Sequence, residues 1–201
     1  MPPPLRLPER ALVTMRAGDA RVVIAGASGA GKSTLAREIS ARTGIPHVEI
    51  DALHWGAGWT SRPEFLDDAR AFVAEDRWIT EWQYRRARDL VVARATVLVW
   101  LDLPFPLVLA RVVRRTAQRR RRRTELWNGN VEPGLRHALL NPEGVIRWSV
   151  ATRRKYAPLI AALETTAPHV AIIRLRRRRD ARMLLRALGP ASHVDNSGES
   201  C

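Results

Sequence analysis

A chain of 201 residues is long enough for one well-buried domain, and 46% hydrophobic with 27% charged residues excludes a disordered chain. One cysteine, Cys201, excludes an internal disulfide framework and a cysteine-based metal site, and implies a reducing compartment. The formal net charge of +14 is local: Arg111, Arg114, Arg115 and Arg119 to Arg123 form one arginine cluster, Arg174 and Arg176 to Arg179 another, and the rest is close to neutral. Such charge suits phosphate-bearing small molecules, nucleic acid or an anionic membrane surface.

Proline and charge make residues 1–19 read as a flexible N-terminal extension, without the apolar core of a secretion signal. No apolar run reaches the roughly 18 residues that span a bilayer, so the expected location is the cytoplasm, with no membrane partner. The fold is expected to begin with "RVVIAG" (21–26), a β-branched run that reads as a buried strand. "KSTLAREISARTG" follows as a helix, with Leu35 and Ile39 on one face and Gly44 as its stop. Strand "HVEI" (47–50), a helix over 63–75, strand "RWIT" (77–80), a helix over 84–94 and the apolar strand "ATVLVWLDLP" (95–104) come next. A long helix starts near Phe105 and carries the first arginine cluster; residues 124–143, rich in Asn, Gly and Pro, then break the rhythm. That break and the end of the helix together predict a lid over about 119–143. A helix from Gly144, a strand over 169–175 and a helix over 179–188 complete a predicted domain of residues 20–188, and 189–201 reads as a disordered tail. Strands and helices alternating at this interval predict an α/β fold: a parallel sheet with helices on both faces.

Between the first strand and helix, Gly26, Gly31, Lys32 and Ser33 satisfy G-x-x-x-x-G-K-[ST]. A glycine-rich turn that happens to precede a lysine would share the letters, but not the strand before and the helix after. Gly26, Ala27, Ser28, Gly29, Ala30 and Gly31 let main-chain N–H groups wrap a phosphate chain, and Lys32, Ser33 and Thr34 open the helix whose N-terminus faces it. Lys32 is expected on the terminal phosphates, and the Ser33 hydroxyl on Mg²⁺.

The apolar strand ends in Asp102, either a ligand for a metal-bound water or a loop carboxylate capping the next helix. Leu103 follows it in place of a second acid that would activate water, which favours transfer to a bound acceptor over hydrolysis. Asp51 and Glu81 end the second and third predicted strands, at the same sheet edge as the glycine loop. Each is a candidate for taking a proton from an acceptor hydroxyl or binding the metal, with an exposed loop acid as the alternative. Trp55, Trp59 and Trp82 would stand around that edge, to stack on an acceptor or simply to pack; His54 reads as structural. Arg111, Arg115 and Arg119 recur every four residues on one helix face and suit a phosphate chain, whereas Arg120 to Arg123 read as a solvated face.

Over roughly residues 21–188, "GASGAGKSTLA", "IDALHWGAGW", "RWITEWQY", "VWLDLP", the arginine helix with "ELWNGNVE", and "IRLRRRRDARMLLRAL" resemble the P-loop kinases of the nucleotide-kinase group. The nearest likeness is to the adenylate-kinase-related proteins often labelled topology modulation proteins. The resemblance implies a P-loop NTPase fold with five parallel strands ordered 2-3-1-4-5 and an arginine-rich lid. It also implies ATP with Mg²⁺, Asp51 near the acceptor, Arg115 and Arg119 as lid arginines, and Arg176 to Arg178 flanking the base. Where relatives carry Asp-Gly after the third strand this chain has Glu81 and Trp82, which changes the acceptor pocket. The function expected is transfer of the ATP γ-phosphate to a small-molecule acceptor, a nucleotide or nucleoside among the candidates. The alternative is a nucleic-acid-associated NTPase whose arginine clusters contact the phosphate backbone. Oligomeric state is not readable from the sequence.

Overall fold

The computed structural model describes residues 7–122, 124–130, 145–152 and 154–190. In chain order these form helix α1 (Glu9–Ala17), strand β1 (Arg21–Gly26), α2 (Lys32–Thr43), the short α3 (Ile50–His54), α4 (Phe65–Ala74), β2 (Trp78–Glu81) and α5 (Arg85–Arg94). Then come β3 (Val97–Leu101), α6 (Phe105–Arg122), α7 (Val145–Ala151), α8 (Tyr156–Thr166), β4 (Ala171–Leu175) and α9 (Arg178–Ala187). Single 3₁₀ turns lie at Ala57–Trp59 and Trp127–Gly129.

All strand pairs are parallel, in the order β2-β1-β3-β4. The β-branched runs of β1 and β3 suit strands covered on both faces, and Val22, Val23, Ile24 and Ala25 have no exposed surface. Alternation along β1 splits the core. Val22 and Ile24 pack with α1, α2 and α9 residues such as Met15, Ile39 and Leu184, while Val23 and Ala25 pack with α4, α5 and α8 residues such as Phe65, Val91 and Ile160. Because β1 has β2 on one side and β3 on the other, the loop leaving its C-terminal end emerges at the crevice where the chain switches direction.

Two expectations need correction. The described sheet has four strands, not five: the 47–50 stretch still lies beside β2, through Val48 N–H to Ile79 O at 2.8 Å and Ile79 N–H to Pro46 O at 2.8 Å, but makes only an isolated bridge. Pro46 has no N–H to give, and α3 begins at Ile50, so too little chain remains extended to make a ladder. Nor is the N-terminal extension wholly flexible. Ala11 and Met15, one helical turn apart on α1, are fully buried, and Arg16 Nε donates to Ala187 O at 2.8 Å, so the packed unit begins near residue 9. Residues 1–6, 131–143 of the expected lid and 191–201 of the expected tail lie outside the described residues. No helix among the described residues is long and apolar enough to cross a membrane.

Met15→Ala tests whether α1 belongs to the core. Removing this buried side chain is expected to cost about 2–5 kcal/mol in urea unfolding, whereas a loosely attached extension would show no change.

Candidate active site

The loop between β1 and α2 is tightly packed from behind. Gly29 has φ of 81°, and a Cβ there would fall 2.2 Å from Val112 Cγ2 on α6. A Cβ on Gly26 would meet Leu101 Cβ at 3.0 Å. Only bare backbone fits between β3 and α6, and Arg111 Nη1 fixes the loop further by donating to Ala30 O at 3.1 Å. On the far side α7 reaches the loop, with the buried Ser149 hydroxyl donating to Ser28 O at 3.3 Å. Gly31, at φ of 101°, starts α2 without a side-chain cap, so the first-turn N–H groups remain available to an anion.

Lys32 is 8% exposed and donates to Ala27 O at 3.4 Å. Burial lowers its pKa to about 8, against the opposing charges of Asp51 and Glu81, with Arg115 and Lys155 adding to the lowering.

A cavity of about 1590 Å³ opens in front of this loop. Of the residues expected at the site, Ser28 to Thr34, Asp51, Arg115 and Arg119 line it. So do Trp55, Trp59 and, unanticipated, Trp127. Eight cationic side chains face three acidic ones around the wall, an excess suited to a polyphosphate. Arginines come from both clusters, Arg111, Arg115, Arg119 and Arg122 from α6 and Arg178 from α9; Arg37 and Arg182 lie outside the clusters and join them, and Ala181 and Leu185 of α9 supply an apolar strip. Asp180, 6% exposed, holds the start of α9 by accepting from Arg176 N–H and Arg177 N–H, both at 2.8 Å. Of the three arginines expected to flank the base, Arg178 is the one that lines the cavity.

Asp51 sits in the first turn of α3. Its Oδ1 accepts from Gln83 Nε2 at 2.9 Å and from the Tyr84 hydroxyl at 2.5 Å. Burial and then the Asp51 charge push the Tyr84 phenol far above its ordinary value, so it stays a neutral donor. His54 stacks on Tyr84 with ring centroids 3.9 Å apart and meets Phe65 edge-on. Burial holds His54 below its ordinary pKa, Asp51 opposing and Arg86 assisting, which agrees with a packing role. Gln83 and Tyr84 were not singled out from the sequence; their signal is their place directly after β2, in the same loop as Glu81.

Three expected side chains lie elsewhere, and Gly26 and Ala27 of the loop do not line the cavity either. Glu81 is 2% exposed and sits beneath the cavity, not in its wall. It pairs with His47 Nε2 at 3.2 Å, accepts from Ile50 N–H at 3.4 Å and takes the Ser33 hydroxyl. Burial pushes its pKa up, but the bonds from His47 and Ser33, the His47 charge and the Ile50 N–H outweigh that and hold it below the usual carboxylate value. Asp102 turns to Arg174, whose Nε and Nη2 reach its Oδ2 at 2.9 and 2.6 Å while the guanidinium lies over Trp100; it does not line the large cavity. Trp82 is buried in the core at 3% exposure, its carbonyl accepting from the Tyr156 hydroxyl at 2.8 Å, so it does not shape the pocket rim.

No family model matches the chain. Shikimate kinase from Rhodopseudomonas palustris (strain ATCC BAA-98 / CGA009) is 27% identical over 128 residues, 55% of this chain and 63% of that protein, so the match spans less than two thirds of this relative. Among solved structures, shikimate kinase from Acinetobacter baumannii in complex with shikimate matches with a TM-score of 0.51 and 16% identity, covering 87% of this chain and 94% of that one. A gluconokinase from Sinorhizobium meliloti 1021 matches at 0.48 and 17%, over 85% and 91%. The fold is that of the P-loop kinases. These matches do not single out adenylate-kinase-related proteins.

Because the folded pKa of Lys32 lies below the unfolded one, the unfolded chain binds more protons between about 8 and 10.5. Stability from this group is therefore complete above that window and lost as pH falls through about 8. Lys32→Met is expected to raise the melting temperature at pH 7, with the gain shrinking towards pH 10, while MgATP binding disappears. A drop in melting temperature at pH 7 would contradict the burial cost.

Proposed function

We propose that the chain is an ATP-dependent kinase that transfers the γ-phosphoryl group of ATP to a hydroxyl of a small molecule. The observation that carries the reading is that the phosphate loop, Lys32, Asp51, the lid-helix arginines and the indoles face one cavity. Main-chain N–H groups of 27–34 and Lys32 hold the triphosphate, and the base rests along Arg178, Arg182 and Leu185. Ser33 would hold Mg²⁺, with Glu81 fixing the direction of its hydroxyl; among the described residues no cluster of three or more His, Cys, Asp or Glu would hold a metal unaided. When bound, Mg²⁺ offsets charge on the transferring phosphates.

In the reaction the acceptor oxygen bonds to the γ-phosphorus as the bridging bond to the β-phosphate breaks, ADP leaves, and the hydroxyl proton passes to Asp51. Tyr84 and Gln83 occupy Oδ1 and leave Oδ2 for that proton. Arg115 and Arg119 offset charge on the transferring group. Similarity to shikimate kinases supports an acceptor with a hydroxyl on a small ring. Nucleosides and nucleotides, the acceptors implied by the narrower resemblance, form a second class to screen. Five of the thirteen clustered arginines line the cavity, which gives them an anionic partner without nucleic acid.

Once an acceptor is found, Asp51→Asn is expected to lower kcat by about 10²–10⁴-fold while leaving the KM for MgATP nearly unchanged, and Lys32→Ala to abolish turnover. Wild-type kcat in Asp51→Asn would remove Asp51 from the chemistry.

A further inference from the structure

Residues 56–60 and 126–130 form the same five-residue turn twice. In the first, Gly56 N–H bonds Thr60 O at 2.8 Å and Thr60 N–H bonds Ala57 O at 3.4 Å; in the second, Leu126 N–H bonds Asn130 O at 2.7 Å and Asn130 N–H bonds Trp127 O at 3.3 Å. The third and fourth residues are left-handed in both: Gly58 and Trp59 at φ of 65° and 59°, Asn128 and Gly129 at 54° and 74°. A tryptophan in that region is strained by its Cβ, so something external must hold Trp59 there.

Asn130 is placed to do so. It is 4% exposed although it follows a turn, and its side chain is fully engaged: Oδ1 accepts Trp59 N–H at 2.9 Å, and Nδ2 donates to Gly56 O and Trp127 O, both at 2.8 Å. Two further bonds tie the second turn to the residues flanking α3, Asn128 Nδ2 to Trp55 O and Trp127 Nε1 to Glu49 Oε2, the latter at 2.8 Å. The turns come from distant parts of the chain and pack on each other. Residues 55–60 follow Asp51 and α3, whereas 126–130 follow the arginine helix α6. Their indoles meet edge-on, Trp55 with Trp59 at 5.6 Å and Trp59 with Trp127 at 6.5 Å between centroids, and all of them line the cavity.

We propose that Asn130 is a positioning residue that clasps the segment after the arginine helix to the loop after Asp51, so that one buried amide fixes the tryptophan wall of the acceptor side. Asn130 does not itself line the cavity; it acts through Trp59, Trp127 and the Gly56 carbonyl. The functional consequence rests on the kinase reading above: while the clasp holds, water is excluded from the transferring phosphate, and when it opens, water competes with the acceptor.

Hydrogen exchange on the full chain tests the clasp without relying on any activity. Asn130→Ala is expected to speed exchange of amides in 56–60 and 126–130 by about tenfold or more, with β1 and β3 unchanged. Asn130→Asp, which keeps the acceptor and loses the donors, is expected to fall between. If Asn130→Ala unfolds the chain as a whole, Asn130→Asp decides, because it keeps an acceptor for Trp59 N–H and removes only the bonds to Gly56 O and Trp127 O. Unchanged protection of 56–60 in Asn130→Ala, or in Asn130→Asp where that variant decides, overturns the proposal. With MgATP alone, Asn130→Ala should raise phosphate release at least about threefold at unchanged KM for MgATP. Faster exchange without that rise would overturn the functional consequence and leave the clasp standing.

Discussion

Everything at this site depends on a loop with no room for a side chain at its central glycine. Between β1 and α2 the chain passes so close to Val112 that a methyl group at Gly29 would collide, one at Gly26 would crowd Leu101, and that closeness ties α6 to the loop. The same contact places Arg111, Arg115 and Arg119, spaced four residues apart on α6, over the space in front of the loop. A bare loop at a helix N-terminus attracts an anion, and the helix packed behind it brings the countercharge.

The electrostatics are costly without that anion. Lys32 is buried with its pKa lowered to about 8, and Arg111 is also held below its ordinary value, by burial and then by Arg178. Cations gathered in this way repel one another and favour a polyphosphate. Glu81 limits the cost from below: with His47 and the Ile50 N–H it anchors the Ser33 hydroxyl in the first turn of α2. Its role is to aim a group that meets the ligand, which explains why an acid at the end of β2 is buried and not displayed.

The phosphate half of the site was legible in the sequence because its constraints are local. A strand, a glycine loop, a lysine, a hydroxyl and a helix follow one another in 23 residues, Arg21 to Thr43, and each choice has a short-range reason. The four central strands were legible for the same cause, as β-branched runs bounded by turns or charge. What was not legible depends on distant partners. Asp102 stayed open between a metal ligand and a loop carboxylate until β4 brought Arg174 beside it, and Trp82 between a pocket wall and packing until α8 brought Tyr156 over its carbonyl. Met15 was hidden by the prolines before it, although its spacing from Ala11 was a helical cue in that segment. Asn130 had no cue beyond sitting in an Asn-Gly turn, because two of its three side-chain bonds run to residues more than 70 positions away.

The acceptor side is thus built by two parts of the chain that converge: α3 with the loop after β2 holds Asp51 by Gln83 and Tyr84, and the twin turns bring the indoles to the same cavity. The most direct test is the fate of the γ-phosphate, followed by phosphorus NMR with MgATP and pooled hydroxylated ring compounds, hydroxy acids and nucleosides. Transfer predicts a new phosphomonoester resonance that grows as ATP is lost and is absent without the pool. Inorganic phosphate as the sole product, released at a rate indifferent to every acceptor, would contradict it.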